Sequence, residues 1–373
     1  MLFIFDIICN FWFNECVPKD LKRTVLRPFL KNKEKSANDP SNYRPISLLN
    51  TLMKIYEALI SKRLVSYLEQ KRILSPFQAA YRKHRSTADH ILTLHEIFLE
   101  YRFNKVGPRG GRSKKRLFLC FLDLKKAFDT VCRKLLFAKI FDAGVRGKMF
   151  RVIKNLFTCN PAEVLIDGFL SHQFFIRRGV LQGSKLGPIL FNIFINDLLD
   201  RLNRSNLGVK LGDISIAALG FADDIVLISD SPTKAQRLLD ICESWAIENR
   251  MSYNTSKSCV MILNGPSTDV TLKLSNDILK IVQSYKYLGV TITAKRITNL
   301  FKTHFSLMLE KASTRAATIR RHGFHKDGLR LATAVRLYKL LVRPILEYCA
   351  QTLTYTRYGQ QASQILQQVS QRN

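Results

Sequence analysis

FADDIVLIS, residues 221–229, sets two adjacent carboxylates, Asp223 and Asp224, between apolar residues that favour strands. Strict strand alternation would send one of the pair into a core, where an unpartnered carboxylate is expensive. A two-residue turn resolves the conflict by carrying both to the tip of a hairpin, so ALGFADDIVLIS is expected to be strand, turn, strand. An Asp-containing hairpin tip is also a common structural device, and the pair alone decides nothing. A second stretch alters its weight. FLCFLDL (118–124) is an apolar run that ends in another carboxylate, Asp123. If the two strands are neighbours, three hard oxygen donors meet at one sheet edge, suited to Mg²⁺ with room left for water and substrate phosphates. Two such ions about 3.5–4 Å apart can serve both oxygens of an in-line displacement.

The remaining chain supports a polyanion as substrate. Its 373 residues carry a formal net charge of +30 with an ordinary 46% hydrophobic content. Such a surplus repels itself unless an anionic partner shares the surface; nucleic acid is the leading partner and an anionic membrane the second. The eight cysteines show no two-residue spacing of a zinc knuckle or redox motif, and several, such as Cys120, fall in apolar runs as buried thiols. MLFIFDIICNFWFNE at the start is too short and too interrupted for a membrane span, and lacks the features of a signal peptide. It reads as a buried or partner-facing helix. The protein is therefore expected inside the cell, in nucleus or cytoplasm, and not secreted.

Periodicity predicts helices over 51–70, over 88–101 behind the Ser86-Thr87 cap, over 183–202 with Ser184 as cap and Pro188 in the first turn, and over 231–250. Residues 130–157 keep helical spacing. Strands are expected at 117–124, 172–180, 259–263 and 285–292, and helices from about 297 to the end. The class is α+β, a mixed core with helical flanks.

In this order, NYRPISLLNTLMKIYEALISKRL, SPFQAAYRKHRSTADHI, FLDLKKAFDTV, RRGVLQGSKLGPILFNIFINDL, FADDIVLIS, NTSKSCVMIL and YKYLGVTI resemble the successive blocks of the reverse transcriptase domain of non-LTR retrotransposons, of the LINE type and jockey-like. RLYKLLVRPILEYCA resembles the thumb that follows. The ordered series is specific, although no single block is.

The resemblance implies a right-hand polymerase: an N-terminal helix and fingers at 1–116, a palm with some fingers elements at 117–294, and a thumb with C-terminal helices at 295–373. It implies an RNA-directed DNA polymerase, a nucleotidyltransferase that uses two Mg²⁺ ions, an RNA template, a DNA primer and dNTPs. Asp123, Asp223 and Asp224, with the carbonyl of Leu124, match the metal-binding positions, Asp123 and Asp223 ahead of Asp224. Lys257 matches a lysine that protonates departing pyrophosphate. Phe128 matches the ring that excludes a ribose 2′-hydroxyl, with Asp129 expected to cap or orient the helix beside it. Gln182 and Gly183 match a turn at the incoming nucleotide, with phosphate favoured at the next helix N-terminus. Arg44, with Lys31 or Lys33, matches the triphosphate clamp; Arg82, Arg85 and Ser86 are expected to touch template or nucleotide. Tyr287, Leu288 and Gly289 match the primer grip.

The sequence departs from the family at Ala80-Tyr81, where Gly-Phe is usual, which puts the fingers backbone in question. The basic loop PRGGRSKKR (108–116) reads as a holder of template RNA or as an insertion. A catalytically inactive or truncated nucleic-acid-binding remnant is the alternative function. Elements of this kind also carry an endonuclease and often a zinc knuckle or ribonuclease H, which the sequence does not display. The chain is thus expected to be a fragment or a stand-alone copy whose primer another activity supplies.

Overall fold

A computed structural model of the chain describes residues 2–32, 34, 36–102, 116–265, 270–294, 300–323 and 328–350. Lys33 and the basic loop up to residue 115 lie outside these.

Along the chain, helix α1 (Leu2–Asn14) leads to strands β1 (Thr24–Leu30) and β2 (Tyr43–Leu49), then to helices α2 (Thr51–Gln70) and α3 (Thr87–Arg102). Strand β3 (Leu117–Leu122) is followed by α4 (Ala127–Thr130), α5 (Arg133–Asp142) and α6 (Gly147–Leu156), and by β4 (Asn160–Ile166), β5 (Phe169–Leu170) and β6 (Phe174–Ile176). Helix α7 (Gly187–Arg204) precedes the hairpin β7 (Val209–Leu211)–β8 (Ile214–Ile216) and strands β9 (Ala218–Phe221) and β10 (Asp224–Ser229). Next come α8 (Pro232–Glu248), β11 (Cys259–Leu263), the short strands β12 (Lys273–Leu274), β13 (Asp277–Ile278) and β14 (Lys280–Ile281), and the hairpin β15 (Ser284–Tyr287)–β16 (Val290–Thr293). Helices α9 (Lys302–Gly323), α10 (Leu331–Leu341) and α11 (Arg343–Glu347) close the described chain.

The central sheet has the order β14-β11-β3-β10-β9, with β3 antiparallel to both neighbours. It is buried on both faces, which is why LFLCFL is apolar throughout rather than alternating. Phe118, Cys120 and Leu122, with Ile225 and Leu227, face a large core that includes side chains of α2, α5, α7 and α8. Leu117, Leu119 and Phe121, with Val226 and Ile228, face a second core built with α3, β15–β16 and the start of α9. Tyr285 stacks on Phe121 there, ring centroids 4.1 Å apart.

A second sheet, order β2-β1-β4-β5 with β6 on β4, stands beside the first. The expected strand 172–180 forms only over Phe174–Ile176, because Arg177 to Gly179 turn toward β3 and its following loop; Gly179 N–H bonds to Val131 O. Helical spacing over 130–157 breaks at Ala143-Gly144, where the chain caps α5 and takes a positive φ at Gly144. The 285–292 strand is a hairpin instead, turning at Leu288-Gly289, both with positive φ. Ser231 caps α8 by accepting the Lys234 amide. The helix expected from 183 starts at Gly187 with Leu186 as N-cap, so Ser184 lies one turn before it and accepts the amides of Leu186 and Gly187. Before α3 the Ser86 amide donates to Asp89.

Helix α1 is divided: Phe11 is buried edge-on against Tyr56, while Phe3, Phe5 and Phe13 stand exposed. All eight cysteines are free thiols, with Cys120, Cys242, Cys259 and Cys349 buried. No helix among the described residues is long and apolar enough to cross a membrane.

Two buried histidines add a pH dependence. His90 packs on Phe221 and His304 seats α9 under β16; burial pushes both down to about 4. Each is neutral in the folded chain and takes up a proton on unfolding below about pH 6.5, so its stabilisation is complete above that pH and is lost between about 6.5 and 4. For His90 a shift of this size corresponds to about 3 kcal/mol. Melting temperature is therefore expected to fall steeply over that window, and less steeply in His90→Leu; equal slopes in calorimetry would contradict the assignment.

Candidate active site

The pairing of β3 with β10 sets Leu122 opposite Ile225, and Phe118 opposite Ser229. One step further along the same register, Asp123 meets Asp224. The two-residue turn is Ala222-Asp223, since Phe221 and Asp224 already pair as strand residues. Only Asp223 thus sits in the turn; Asp224 opens β10, a correction to the expectation that both occupy the tip. Asp123 and Asp223 line a cavity of about 1770 Å³, larger than the 300–1,000 Å³ or so of a small-molecule cleft. Asp224 is exposed and does not line it.

The Asp123 charge acts on both members of the adjacent pair. Burial and then the Asp123 charge push Asp223 up, against a pull downward from Arg44. Although Asp224 reaches the surface, neighbouring atoms crowd it enough that partial desolvation, with the charges of Asp223 and Asp123, pushes it up to about 6. Among the described residues no three such side chains already converge as a ligand set. The Lys257 ammonium stands 3.8 Å from Asp123 Oδ2. Hard oxygen donors that repel one another beside a polyanion-sized cavity fit a divalent cation, whose charge would relieve that repulsion.

The backbone of Asp123 is fixed by the loop that carries Lys257. Its N–H donates to Ser258 Oγ at 3.1 Å and its carbonyl accepts the Asn254 amide at 2.7 Å. Leu124 bridges Tyr253, but the bonds are made by the flanking residues, Lys125 N to Ser252 O and Asn254 N to Asp123 O, so the bridge does not spend the Leu124 carbonyl.

Phe128 lines the cavity and stacks on Phe191, ring centroids 4.4 Å apart, so its ring is held rigid. Asp129 does not cap α4, whose N-cap is Lys126. Its carboxylate instead accepts Gln182 Nε2 at 2.9 Å, and so fixes which way the Gln182 amide points. Gly183 has φ +127 and passes so close to β2 that a Cβ would stand 2.4 Å from Ser47 O; Ser47 N also bonds Gln182 O at 2.7 Å. The turn therefore requires glycine and is tied to the second sheet. The expected phosphate site at the α7 N-terminus is not open. Ser184 Oγ accepts the amide of Gly187 at N1 and that of Leu186 at the N-cap, and the buried Glu57 accepts that of Lys185 just before the helix at 2.8 Å.

Arg44 and Lys31 line the same cavity as Asp123 and Asp223. Arg82 does not. It is buried, donates to both oxygens of Glu69 and to the carbonyls of Ser75 and Gln78, and so holds its own loop rather than a substrate. Arg85 bonds Pro76 O, and the Ser86 amide donates to Asp89 in the first turn of α3. The Ala80-Tyr81 departure is harmless to the backbone: the positive φ, 58°, falls on Tyr81, and Ala80 is simply buried. Tyr81 lines the cavity near Asp223 and Arg44, a position that periodicity gave no reason to single out. Tyr287 is buried, while Leu288 and Gly289 form the tip of their hairpin, where Leu288 O accepts from Tyr348 Oη.

The family model described as reverse transcriptase (RNA-dependent DNA polymerase) matches residues 31–292. The chain is 30% identical over 320 residues to an RNA-directed DNA polymerase from the mobile element jockey of Drosophila funebris, covering 84% of this chain and 33% of that protein. It is 27% identical over 277 residues to a retrovirus-related Pol polyprotein from the type-1 retrotransposable element R2 of Popillia japonica, covering 71% and 37% respectively. The chain thus spans about a third of the length of these curated relatives. In fold it resembles the telomerase of Candida albicans solved with a fragment of telomeric RNA, with TM-score 0.52, 12% identity, and 94% of this chain and 59% of that one covered. It likewise resembles apo telomerase from Candida tropicalis, with TM-score 0.52, 13% identity and coverage of 94% and 62%. With the family's blocks in order over most of its length and a right-hand polymerase fold around them, the chain belongs to the reverse transcriptase (RNA-dependent DNA polymerase) family, of the non-LTR retrotransposon type.

Proposed function

We propose that the chain extends a DNA primer on an RNA template, transferring a nucleotidyl group from a dNTP to the primer 3′-hydroxyl. The observation that carries this is that Asp123 and Asp223 line the same cavity as the cations Arg44 and Lys31. On this reading the sheet containing β1 and β2 serves as fingers, the central sheet as palm and α9–α11 as thumb. The basic surplus holds the template and primer inside the cell, in nucleus or cytoplasm.

Asp123, Asp223 and Asp224, with the Leu124 carbonyl, would hold two Mg²⁺, which when bound supply charge for activating the 3′-hydroxyl and stabilising the leaving oxygen. The chain's own residues do the rest. Arg44 and Lys31 bind the triphosphate, Arg44 as a planar bidentate donor. Gln182, its amide oriented by Asp129, faces the base pair being formed. The rigid Phe128 ring leaves no space for a 2′-hydroxyl, so deoxynucleotides are favoured by steric exclusion. The primer oxygen bonds to the α-phosphorus as the bond to the pyrophosphate oxygen breaks. Lys257 gives the departing pyrophosphate a proton, a role typically worth about 10²–10⁴ in rate. The Leu288-Gly289 hairpin tip supports the primer end.

Extension of a DNA primer on an RNA template with Mg²⁺ and dNTPs tests this reading. Wild type is expected to extend, and Asp223→Ala to lose about 10²–10³-fold or more. Phe128→Ala is expected to raise incorporation of ribonucleotides relative to dNTPs. A folded wild type that binds primer–template and adds nothing would favour the inactive remnant instead.

A further inference from the structure

The turn that carries Asp223 is under backbone strain. Ala222, just before it, has φ +57, in the left-handed region that costs a residue with a Cβ roughly 1 kcal/mol or more. Such a conformation persists only if the surroundings impose it.

What imposes it comes from the loop between α2 and α3. Gln78 is 1% exposed. Its Oε1 accepts the amide of Ala222 at 3.0 Å and that of Ala80 at 3.0 Å, and its Nε2 lies 3.5 Å from Ala222 O. Its backbone is also seated: Gln78 bridges Gly220 in parallel fashion, Ala79 N bonds Gly220 O at 3.1 Å, and Gly220 N bonds Phe77 O at 2.9 Å. Gly220 makes room, since a Cβ there would stand 2.9 Å from Leu199 Cδ1 and 3.4 Å from Gln78 Nε2. Asn192 of α7 takes Ala80 O at 2.7 Å and anchors the far side. A single buried side chain thus ties the segment leading to Tyr81 to the turn leading to Asp223.

We infer that Gln78 is a positioning residue that holds Ala222 in its strained conformation and thereby sets the Asp223 carboxylate for divalent-cation binding and nucleotidyl transfer. The inference rests on the polymerase reading above. Gln78 touches neither substrate nor reacting atoms; it acts through the Ala222 peptide. The Tyr81 ring and the Asp223 carboxylate therefore share one support and move together.

The test compares the full-length wild type with Gln78→Met, which keeps the volume and removes the amide. Steady-state primer extension gives kcat and the dNTP KM. Electron paramagnetic resonance gives Mn²⁺ affinity without nucleotide, and gel shift gives primer–template affinity. A misplacement of about 1 Å predicts a fall in kcat of about 10²-fold, with weaker Mn²⁺ binding, while dNTP KM and primer–template affinity hold. Adding Ala222→Gly to that variant is expected to recover kcat by about tenfold, because glycine takes a positive φ without support. A general structural role would not be rescued there. Should Gln78→Met fail to fold, Gln78→Glu serves: protonated in that buried place, it keeps the accepting oxygen and is expected to stay within about tenfold of wild type. The inference is overturned by wild-type kcat and Mn²⁺ affinity in Gln78→Met, by a loss that Ala222→Gly does not recover, or by a folded but inactive Gln78→Glu. A wild type that extends nothing counts against the polymerase reading instead, and Mn²⁺ affinity still reads Gln78.

Discussion

Everything at this site depends on the antiparallel pairing of β3 with β10. Leu122 opposite Ile225 puts Asp123 and Asp224 at the same end of adjacent strands, and the turn before β10 adds Asp223. Gathering carboxylates there works against folding, since desolvation and neighbouring charge oppose the charged forms of Asp223 and Asp224. The two cores on either side of the sheet supply the opposing stabilisation, because every side chain of β3 is buried. A slip of the register by one residue would separate the acids and move every side chain of β3 to the opposite core, where a differently shaped side chain has to fit, so close packing in the two cores fixes the site.

Around that sheet edge, segments remote in sequence are held by polar groups rather than by apolar packing alone. Ser258 and Asn254 hold the backbone of Asp123, Asp129 holds Gln182, Glu57 closes the α7 N-terminus, and Gln78 holds the turn before Asp223. Each bond joins two of the sequence blocks. Buried hydrogen bonds of this kind contribute modestly to net stability, but leaving one partner unmet costs about 1–3 kcal/mol, and this makes the arrangement specific. The arrangement also accounts for Arg82, whose guanidinium makes four hydrogen bonds, to Glu69 of α2 and to the carbonyls of Ser75 and Gln78, rather than being aimed at a ligand.

Much of this was legible from local pattern. Residues 51–70 announce α2 by apolar spacing, Ser184 and Pro188 announce the start of α7, and an apolar run ending in Asp123 announces a doubly buried strand. Those signals lie within a few residues of one another. The less legible parts depend on contacts between segments more than a hundred positions apart. Nothing in QAAY says that Gln78 will meet Ala222, and nothing in the helix 51–70 says that Glu57 will occupy the amide end of α7. Charge read from composition was likewise blind to direction. Arg44 and Arg82 look alike in sequence, yet one lines the cavity and the other is consumed by Glu69. The adjacent Asp223 and Asp224 also look equivalent, and only the pairing of Phe221 with Asp224 separates the turn residue from the strand residue.

The central claim is that the β3–β10 pairing builds a divalent-cation site from Asp123 and Asp223. Its most direct measurement is anomalous diffraction from crystals grown with primer–template, a non-hydrolysable dNTP and Mn²⁺. The account predicts anomalous density between the Asp123 and Asp223 carboxylates, with Lys257 moved off Asp123 toward the triphosphate. Crystals that show the nucleotide bound, Lys257 still against Asp123 and no anomalous density at these carboxylates would contradict it.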